Sequence, residues 1–435
     1  MADVRPFRAL RYNTADPLSL ALVTAPPYDC IAPEAREELY RTHPHNVVRL
    51  ILGRDEPGDD DGHNRYTRAA DFLEKWKRAG ILVRDAEPSL YLYQQEFQVE
   101  GRSYRREGIL ARVGLEEFGT GKVFPHEETV EEPLRDRLRL LRAVRANLSP
   151  IFSLYPDPDN LVPDLFHEVV RDEALAQTVD ADGVVHRLFA SSDAGLAERV
   201  AETLADAPLY IADGHHRYEV AQAYRRELQE AGQDVGPDHP AAFVLMLCVS
   251  MHHPGLAILP AHRVLRGLGD LTADRLRQAS RRHFAWQEFA GVEATSPRLR
   301  EHLRQAPAHT LGLWTRDTSK AFLLTLKRPD VMDRLAPEKS EAWRRLDVAI
   351  LERVLLGEDL PQAVDDADGL RRQYVHLAQE AFDAVHEGDA DAAVLLKPLP
   401  VESLQQVADA GERMPAKSTY FYPKALSGLV MNPLD

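Results

Sequence analysis

At residues 209–217 the chain reads LYIADGHHR: an apolar run ends in an aspartate, a glycine, two histidines and an arginine. The run predicts a buried strand, and Tyr218, Ala221 and Tyr224 behind it fall at helical spacing on one face. A strand that turns through Asp213 and Gly214 into a helix presents the N–H groups of the first helical turn and the positive end of the dipole. That is a place for phosphate oxygens. Gly214 lets the backbone approach a ligand closely, His215 and His216 add donors, and the Arg217 guanidinium offers a bidentate fork. The same residues also read as an aspartate N-cap followed by polar surface. As a metal pair the histidines are awkward: neighbours on a helix diverge by about 100°, so one ion needs a further ligand from elsewhere.

A second cluster is KVFPHEETVEEP at residues 122–133. Pro125 marks a turn, which puts His126 and Glu127 in the loop before a helix. A carboxylate there can take the proton of an attacking hydroxyl if the two come within hydrogen-bond reach. Glu128, Glu131 and Glu132 read more simply as acidic residues favoured by a helix N-terminus. The third cluster, PAKSTYFYPK at 415–424, interleaves Lys417, Ser418, Thr419 and Lys424 with Tyr420, Phe421 and Tyr422. It reads as a polar lip over an aromatic floor or as an ordinary aromatic strand. It lacks the glycine-rich lead-in of a Walker loop. PPYD at 26–29 reads as a rigid turn, and His252 and His253 as a loop between strands. The arginines of LRDRLRLLRAVRANLSP, Arg137 and Arg142 among them, read as the solvated face of an amphipathic helix, with Glu131 and Arg135 an i,i+4 pair.

These clusters need elements to hold them. Helices are expected at 33–42, where Pro33 occupies the first turn, at 64–79, and at 131–146 with Leu134, Leu138 and Leu141 on one face. GRDEPGDDDG at 53–62 is a surface loop by composition. From Pro88 the pattern alternates with period two, so SLYLYQQEFQV, the turn EGR and SYRREGILARVGL predict a β-hairpin. Further strands are expected at IFSLY, PLYIA, AAFVLMLCVS and LAILPA. Beyond about residue 265 the pattern is largely helical, interrupted by one hairpin around 309–327, and a helix at 401–410 stops at Gly411. Soft boundaries near 85 and 265 divide the chain into an N-terminal α/β segment (1–85), a phosphate-binding core (86–265) and a C-terminal α+β region (266–435).

The chain has 435 residues, with 53 Lys and Arg against 69 Asp and Glu, a formal charge of −16. That balance argues against an extended nucleic-acid or anionic-membrane surface, which needs clustered cations. It leaves room for a small anion in a local basic pocket. Cys30 and Cys248 form no zinc or redox spacing, which points to a reduced compartment. The opening MADVRPFRALRY lacks the apolar run of a signal peptide, and no stretch approaches a membrane span, so a cytoplasmic location is expected. Composition does not speak to the oligomeric state.

A strand followed by DGHHR and a helix resembles the signature of the ParB/sulfiredoxin-like superfamily, whose helix N-terminus holds nucleotide phosphates. Together with the upstream Pro-His-Glu it is most similar to the free L-serine kinases of that superfamily. APPYD, PHEET, DRLRLLRAVRANLSPIF, ADGHHR and MPAKSTYFYPK, taken together, resemble the microbial domain-of-unknown-function 1015 family over nearly the full length. The resemblance implies an α+β fold: a mixed-sheet ParB/sulfiredoxin-like core with an N-terminal α/β segment and a largely helical C-terminal region. It implies phosphoryl transfer from ATP or pyrophosphate to the hydroxyl of free L-serine, with Mg²⁺ as cofactor. Glu127 matches the catalytic base, beside His126. Asp213, Gly214, His215, His216 and Arg217 match the donor site, with Asp213 as a Mg²⁺ ligand and Lys417, Ser418 and Thr419 as further donor contacts. From Glu127 to Asp213 the chain is much longer than in compact serine kinases, so an insertion or a rearranged subdomain is expected between them. Two other readings stand beside this one: a nucleotide-binding regulatory module of the ParB-like superfamily, and a metal-dependent phosphohydrolase using some of the 17 histidines.

Overall fold

The predicted hairpin forms as β1 (Leu90–Val99) and β2 (Arg102–Gly114), joined at Glu100 and Gly101, whose φ values of 52° and 77° are those of a tight two-residue turn. The computed structural model describes residues 2–14, 19–127, 129, 131–170 and 173–435. It divides into two compact units. The first comprises Met1–Pro125, Thr129–Ala257 and Pro423–Asp435; the second comprises His126–Glu128 and Ile258–Tyr422.

In the first unit the hairpin lies within a nine-stranded mixed sheet with β3 (Val123–Phe124), β4 (Ile151–Tyr155), β5 (Ala176–Val179), β6 (Val185–Ser191), β7 (Leu209–Asp213) and β8 (Phe243–Ser250). The order is β3-β7-β4-β8-β2-β1-β6-β5, and Val4–Arg5 pairs with β2 beyond the end of β1. β7 runs parallel to β3 and antiparallel to β4, while β8 runs parallel to β4 and antiparallel to β2. The central β8 reads FVLMLCVS and is buried at every position, as a strand covered on both faces requires. Helices Leu161–Val169 and Ala194–Ala205 contribute Val162, Phe166, Leu196, Val200 and Leu204 to the core over one face. Burying an aliphatic side chain of this size stabilises the fold by roughly 1.5–3 kcal/mol.

The helices begin and end where residue chemistry says they should. α1 (Pro33–Thr42) starts on Pro33. α2 (Arg65–Arg78) is capped by Asn64, whose side chain accepts from the Tyr66 and Thr67 N–H groups while Thr67 answers with its hydroxyl. α3 (Glu131–Val144) packs on α4 (His215–Glu230) through Leu141, Val220 and Tyr224, with Leu134 and Leu138 against them. One expectation for α3 is overturned. Arg137 is not on a solvated face but 8% exposed, donating to the Ile51 carbonyl and the Asp136 carboxylate. Glu131 and Arg135 do form their exposed i,i+4 pair, and Glu128 lies outside the described residues.

The second unit corrects the expectation of a largely helical C-terminal region. It is built on a six-stranded antiparallel sheet of β9 (His262–Arg266), β10 (Phe284–Phe289), β11 (Thr310–Thr315), β12 (Ala321–Leu326), β13 (Arg371–Val375) and β14 (Ala392–Leu395). The order is β10-β12-β11-β14-β9-β13. Only the β11–β12 hairpin has a clear local signal. β13 reads RRQYV on an edge with its first three residues exposed, and β14 is four residues long and wholly buried. α5 (Ser296–Gln305) and α6 (Ala378–His386) cover one face through Leu299, Leu303, Ala381 and Val385. α7 (Val401–Asp409) ends as predicted just before Gly411, at φ 72°. Among the described residues no helix is long and apolar enough to cross a membrane.

Candidate functional site

β7 delivers Asp213 to the sheet edge through an irregularity in its pairing with β4 between Ile211 and Asp213. The chain then turns at Gly214, which caps α4 at φ 95°, ψ 30°. A Cβ at this position would stand 2.9 Å from the Arg217 guanidinium carbon, so both the torsion and the space call for glycine. The first intrahelical bond runs from the Tyr218 N–H to the Gly214 carbonyl at 3.1 Å. The N–H groups of the turn before it therefore lie outside the helical ladder.

Around this turn the first unit gathers a buried cluster of charge. One oxygen of the Asp213 carboxylate accepts from Lys424, the other from Arg217, and Arg217 also donates to the Pro150 carbonyl. Burial by itself would push the Asp213 carboxyl up, but Lys424 and Arg217 outweigh it and hold it far below the usual carboxylate range. Burial likewise works against both cations, and Asp213 overrides it, so Lys424 and Arg217 stay charged. Asp29, at an exposed position, also acts on both cations, so the cluster sets two cations against one buried carboxylate, with a second carboxylate at its exposed side, beside a helix N-terminus. Arg217 Nε is buried without a hydrogen-bond partner.

Arg217 also faces a cavity of about 70 Å³ lined by Tyr28, Arg137, Leu141, Ser149 and Val220 among others. Tyr28, from the PPYD stretch, opens a single 3₁₀ turn (Tyr28–Cys30), and the Arg137 guanidinium lies 4.1 Å from the centre of its ring. Burial pushes the Tyr28 hydroxyl up to about 12, so it is a neutral donor in this wall. Arg106, in the middle of β2, is fully buried beside the same C-terminal segment. It donates to Gln95 and to the Pro423 carbonyl and stacks 4.7 Å from Phe152, and burial draws its pKa down to about 10.

His215 and His216 open α4 in the first unit, while His126, Glu127, Lys417, Ser418 and Thr419 belong to the second. His126 is wholly buried, with Nε2 3.3 Å from the Thr419 hydroxyl and its ring edge-on to Phe421. Its carbonyl accepts from the Met414 N–H at 2.7 Å, and Glu127 forms a parallel bridge with Met414. His126 and Glu127, far away in sequence, therefore meet Met414 in a short parallel bridge, and the PAKST residues that follow turn at Ala416 and Lys417. Ser418 is buried and donates to the Pro415 carbonyl, and Lys417 is exposed at φ 57°.

Three expectations change. Both terminal nitrogens of Arg217 are engaged by protein acceptors, so it holds the turn in place rather than offering a free fork to phosphate. Asp213 does not fit a Mg²⁺ ion, because its two oxygens already face two cations. His215, read either as a donor to phosphate or as polar surface, is 7% exposed, which overturns the surface reading alone. Among the described residues no group of three or more His, Cys, Asp or Glu side chains converges as a metal site would require. Lys424, grouped in the sequence with the 415–424 cluster and not with the DGHHR turn, is the residue whose place the sequence missed. Its only signal is a lysine closing an aromatic run, and nothing local ties it to Asp213.

A family profile described as "Protein of unknown function (DUF1015)" matches residues 4–349. No curated protein matches the chain. Among solved structures, a free serine kinase mutant in complex with AMP is 13% identical at a TM-score of 0.33, covering 69% of this chain and 84% of the other. A conserved hypothetical protein from Pyrococcus furiosus is 15% identical at 0.33, over 70% and 89%. SbnI from Staphylococcus aureus, truncated at its C-terminus, is 13% identical at 0.36, over 75% and 87%. Similarity at this level does not fix an activity.

Proposed function

The chain belongs to the DUF1015 family of proteins of unknown function, and from there we propose that it is a small-molecule kinase with a ParB/sulfiredoxin-like core. It moves a phosphoryl group from ATP or pyrophosphate to the hydroxyl of free L-serine. One observation carries this reading: the left-handed Gly214 turn opens a 16-residue helix beside a buried carboxylate that is outnumbered by Lys424 and Arg217. Helix-start N–H groups and excess buried positive charge suit the phosphates of a donor.

In the reaction the serine Oγ attacks the terminal phosphorus and the bond from that phosphorus to the bridging oxygen breaks. ADP or orthophosphate leaves and O-phosphoserine forms. The proton of the hydroxyl passes to a carboxylate, a role given to Glu127 on its place in the Pro-His-Glu motif. Lys424 and Arg217 keep the Asp213 turn positively charged as negative charge builds on the phosphoryl oxygens. His216, Lys417, Ser418 and Thr419 are further candidate contacts to the donor, while His126 orients Thr419. Asp213 does not serve as a Mg²⁺ ligand in this reading, since both its oxygens face cations.

The test is formation of O-phosphoserine from L-serine with each donor in turn, read by mass spectrometry. Product with either donor is expected. Glu127→Gln should lower turnover by roughly 10²–10⁴-fold, the usual worth of a general base, while donor affinity stays within a few-fold. No product with either donor from a folded, donor-binding protein would overturn the reading.

A further inference from the structure

At residues 395–400 the chain reads LLKPLP, a lysine set among apolar residues and prolines just past the end of β14. In the second unit this stretch, the segment leading into β11 and the short helix Asp347–Ile350 close around a cavity of about 360 Å³. Pockets for small ligands occupy roughly 300–1,000 Å³. Lys397 lines the cavity and is tethered without an acid: its Nζ donates to the Ala306 carbonyl at 2.6 Å and to the Pro307 carbonyl at 2.7 Å. An ammonium has three hydrogens, so one is left to give. Burial draws the Lys397 pKa down and Asp347 works against it, yet among the described residues no carboxylate stands within ion-pair distance of Lys397.

Asp347 lines the same cavity from the first position of its helix. Its Oδ1 faces His309 Nδ1 at 3.2 Å, and among the described residues Oδ2 takes no hydrogen bond. His309 is held at φ 58°, an uncommon backbone for a non-glycine residue, and its carbonyl is pinned by the Leu326 N–H at 2.9 Å. The other charged wall residue, Arg345, is exposed and already paired with Glu341 at 2.6 Å. The wall is therefore balanced: one ammonium and one carboxylate share a cavity without joining each other. Pro260, Leu346, Val348 and Leu399 make much of the remainder apolar, and of the two serines there Ser418 already donates to the Pro415 carbonyl.

We propose that this cavity binds the zwitterion of an α-amino acid with an apolar side chain, its carboxylate on Lys397 and its ammonium on Asp347. An occupant with a single charge would meet one attraction and one repulsion here, whereas a zwitterion meets two attractions. The apolar wall then takes the side chain, and a hydroxyl placed against it would lose water without full return. The site lies wholly within the second unit and shares only Ser418 with the donor contacts named above, so it stands apart from the serine kinase reading.

Calorimetric titration of the full chain with L-leucine, L-leucinamide and N-acetyl-L-leucine tests it. L-Leucine should bind, and the two analogues, each lacking one charge, should bind at least about tenfold more weakly, the loss of one charge-assisted contact. Lys397→Met should weaken L-leucine by a similar factor and bring it level with the amide; Asp347→Asn should bring L-leucine level with the N-acetyl compound. Those two levellings assign each charge to its residue, which a merely structural role would not do. Should Lys397→Met fail to fold, Asp347→Asn and the ligand series decide. No binding of L-leucine, or analogues that bind as tightly as L-leucine, would overturn the proposal. Competition keeps it distinct from the kinase reading: L-serine that binds without displacing L-leucine occupies another site, as expected, whereas L-serine that displaces it with equal affinity overturns the apolar occupant.

Discussion

Asp213 is where local chemistry and tertiary packing meet, because its carboxylate is the counter-charge for two largely buried cations. Asp213→Asn removes that charge and leaves Lys424 and Arg217 facing each other out of water. Losing one partner of a buried pair costs about 3–5 kcal/mol, so urea unfolding at neutral pH should show a loss of that order. The pH dependence has a definite sign. The folded carboxyl titrates below its unfolded value, near 3.9. Its contribution is therefore complete above pH 4 and is lost as pH falls through the folded value. The wild type should lose stability as pH drops below about 4 by more than the asparagine variant does. Equal acid sensitivity in the two proteins would mean that Asp213 is not the titrating group.

At the level of elements, the β7–Gly214–α4 junction is the feature most sensitive to a single methyl group. Gly214→Ala forces a Cβ into the left-handed region and against the Arg217 guanidinium carbon at 2.9 Å. The torsion alone costs roughly 1–2 kcal/mol. Thermal unfolding should register at least that loss, and donor binding should fall with it if the turn holds phosphate. A variant that keeps full stability but loses donor affinity would separate the two effects and still support the site. The helices around this junction were legible because their signals are local: Pro33, Asn64, Gly411 and the leucine spacing of α3 act within a few residues. The burial of Arg137 was not, since an arginine among arginines looks solvated until the Ile51 carbonyl and Tyr28 are brought against it.

On the scale of the whole molecule, the C-terminal stretch Pro423–Asp435 belongs to the first unit. It supplies Lys424 to Asp213, the Pro423 carbonyl to Arg106, a bridge from Met431 to Leu10, and Asn432 pairing with Asn147. Ending the chain after Tyr422 strips the counter-cation and one acceptor of the buried Arg106 in a single step. That truncated chain should unfold at a lower temperature than the wild type and lose donor binding. Calorimetric scanning of both proteins checks this, and an unchanged midpoint would show that the closing segment is dispensable for the first unit.

The sequence by itself determined the β1–β2 hairpin, the strand into DGHHR, the long helices of the first unit and the membership of PHE and PAKST in short loops or strands. Each follows from periodicity, caps or turn residues acting over a few positions. Only the tertiary structure decided that Lys424 neutralises Asp213, that Arg217 is spent on holding the turn, and that His126 lies against Thr419. It also decided the antiparallel sheet of the second unit, whose short or polar strands β13 and β14 carry no local pattern. The reason is physical: the partners in those contacts lie up to hundreds of residues apart, and their pairing is fixed by burial and charge balance in the folded chain rather than by any neighbour in sequence.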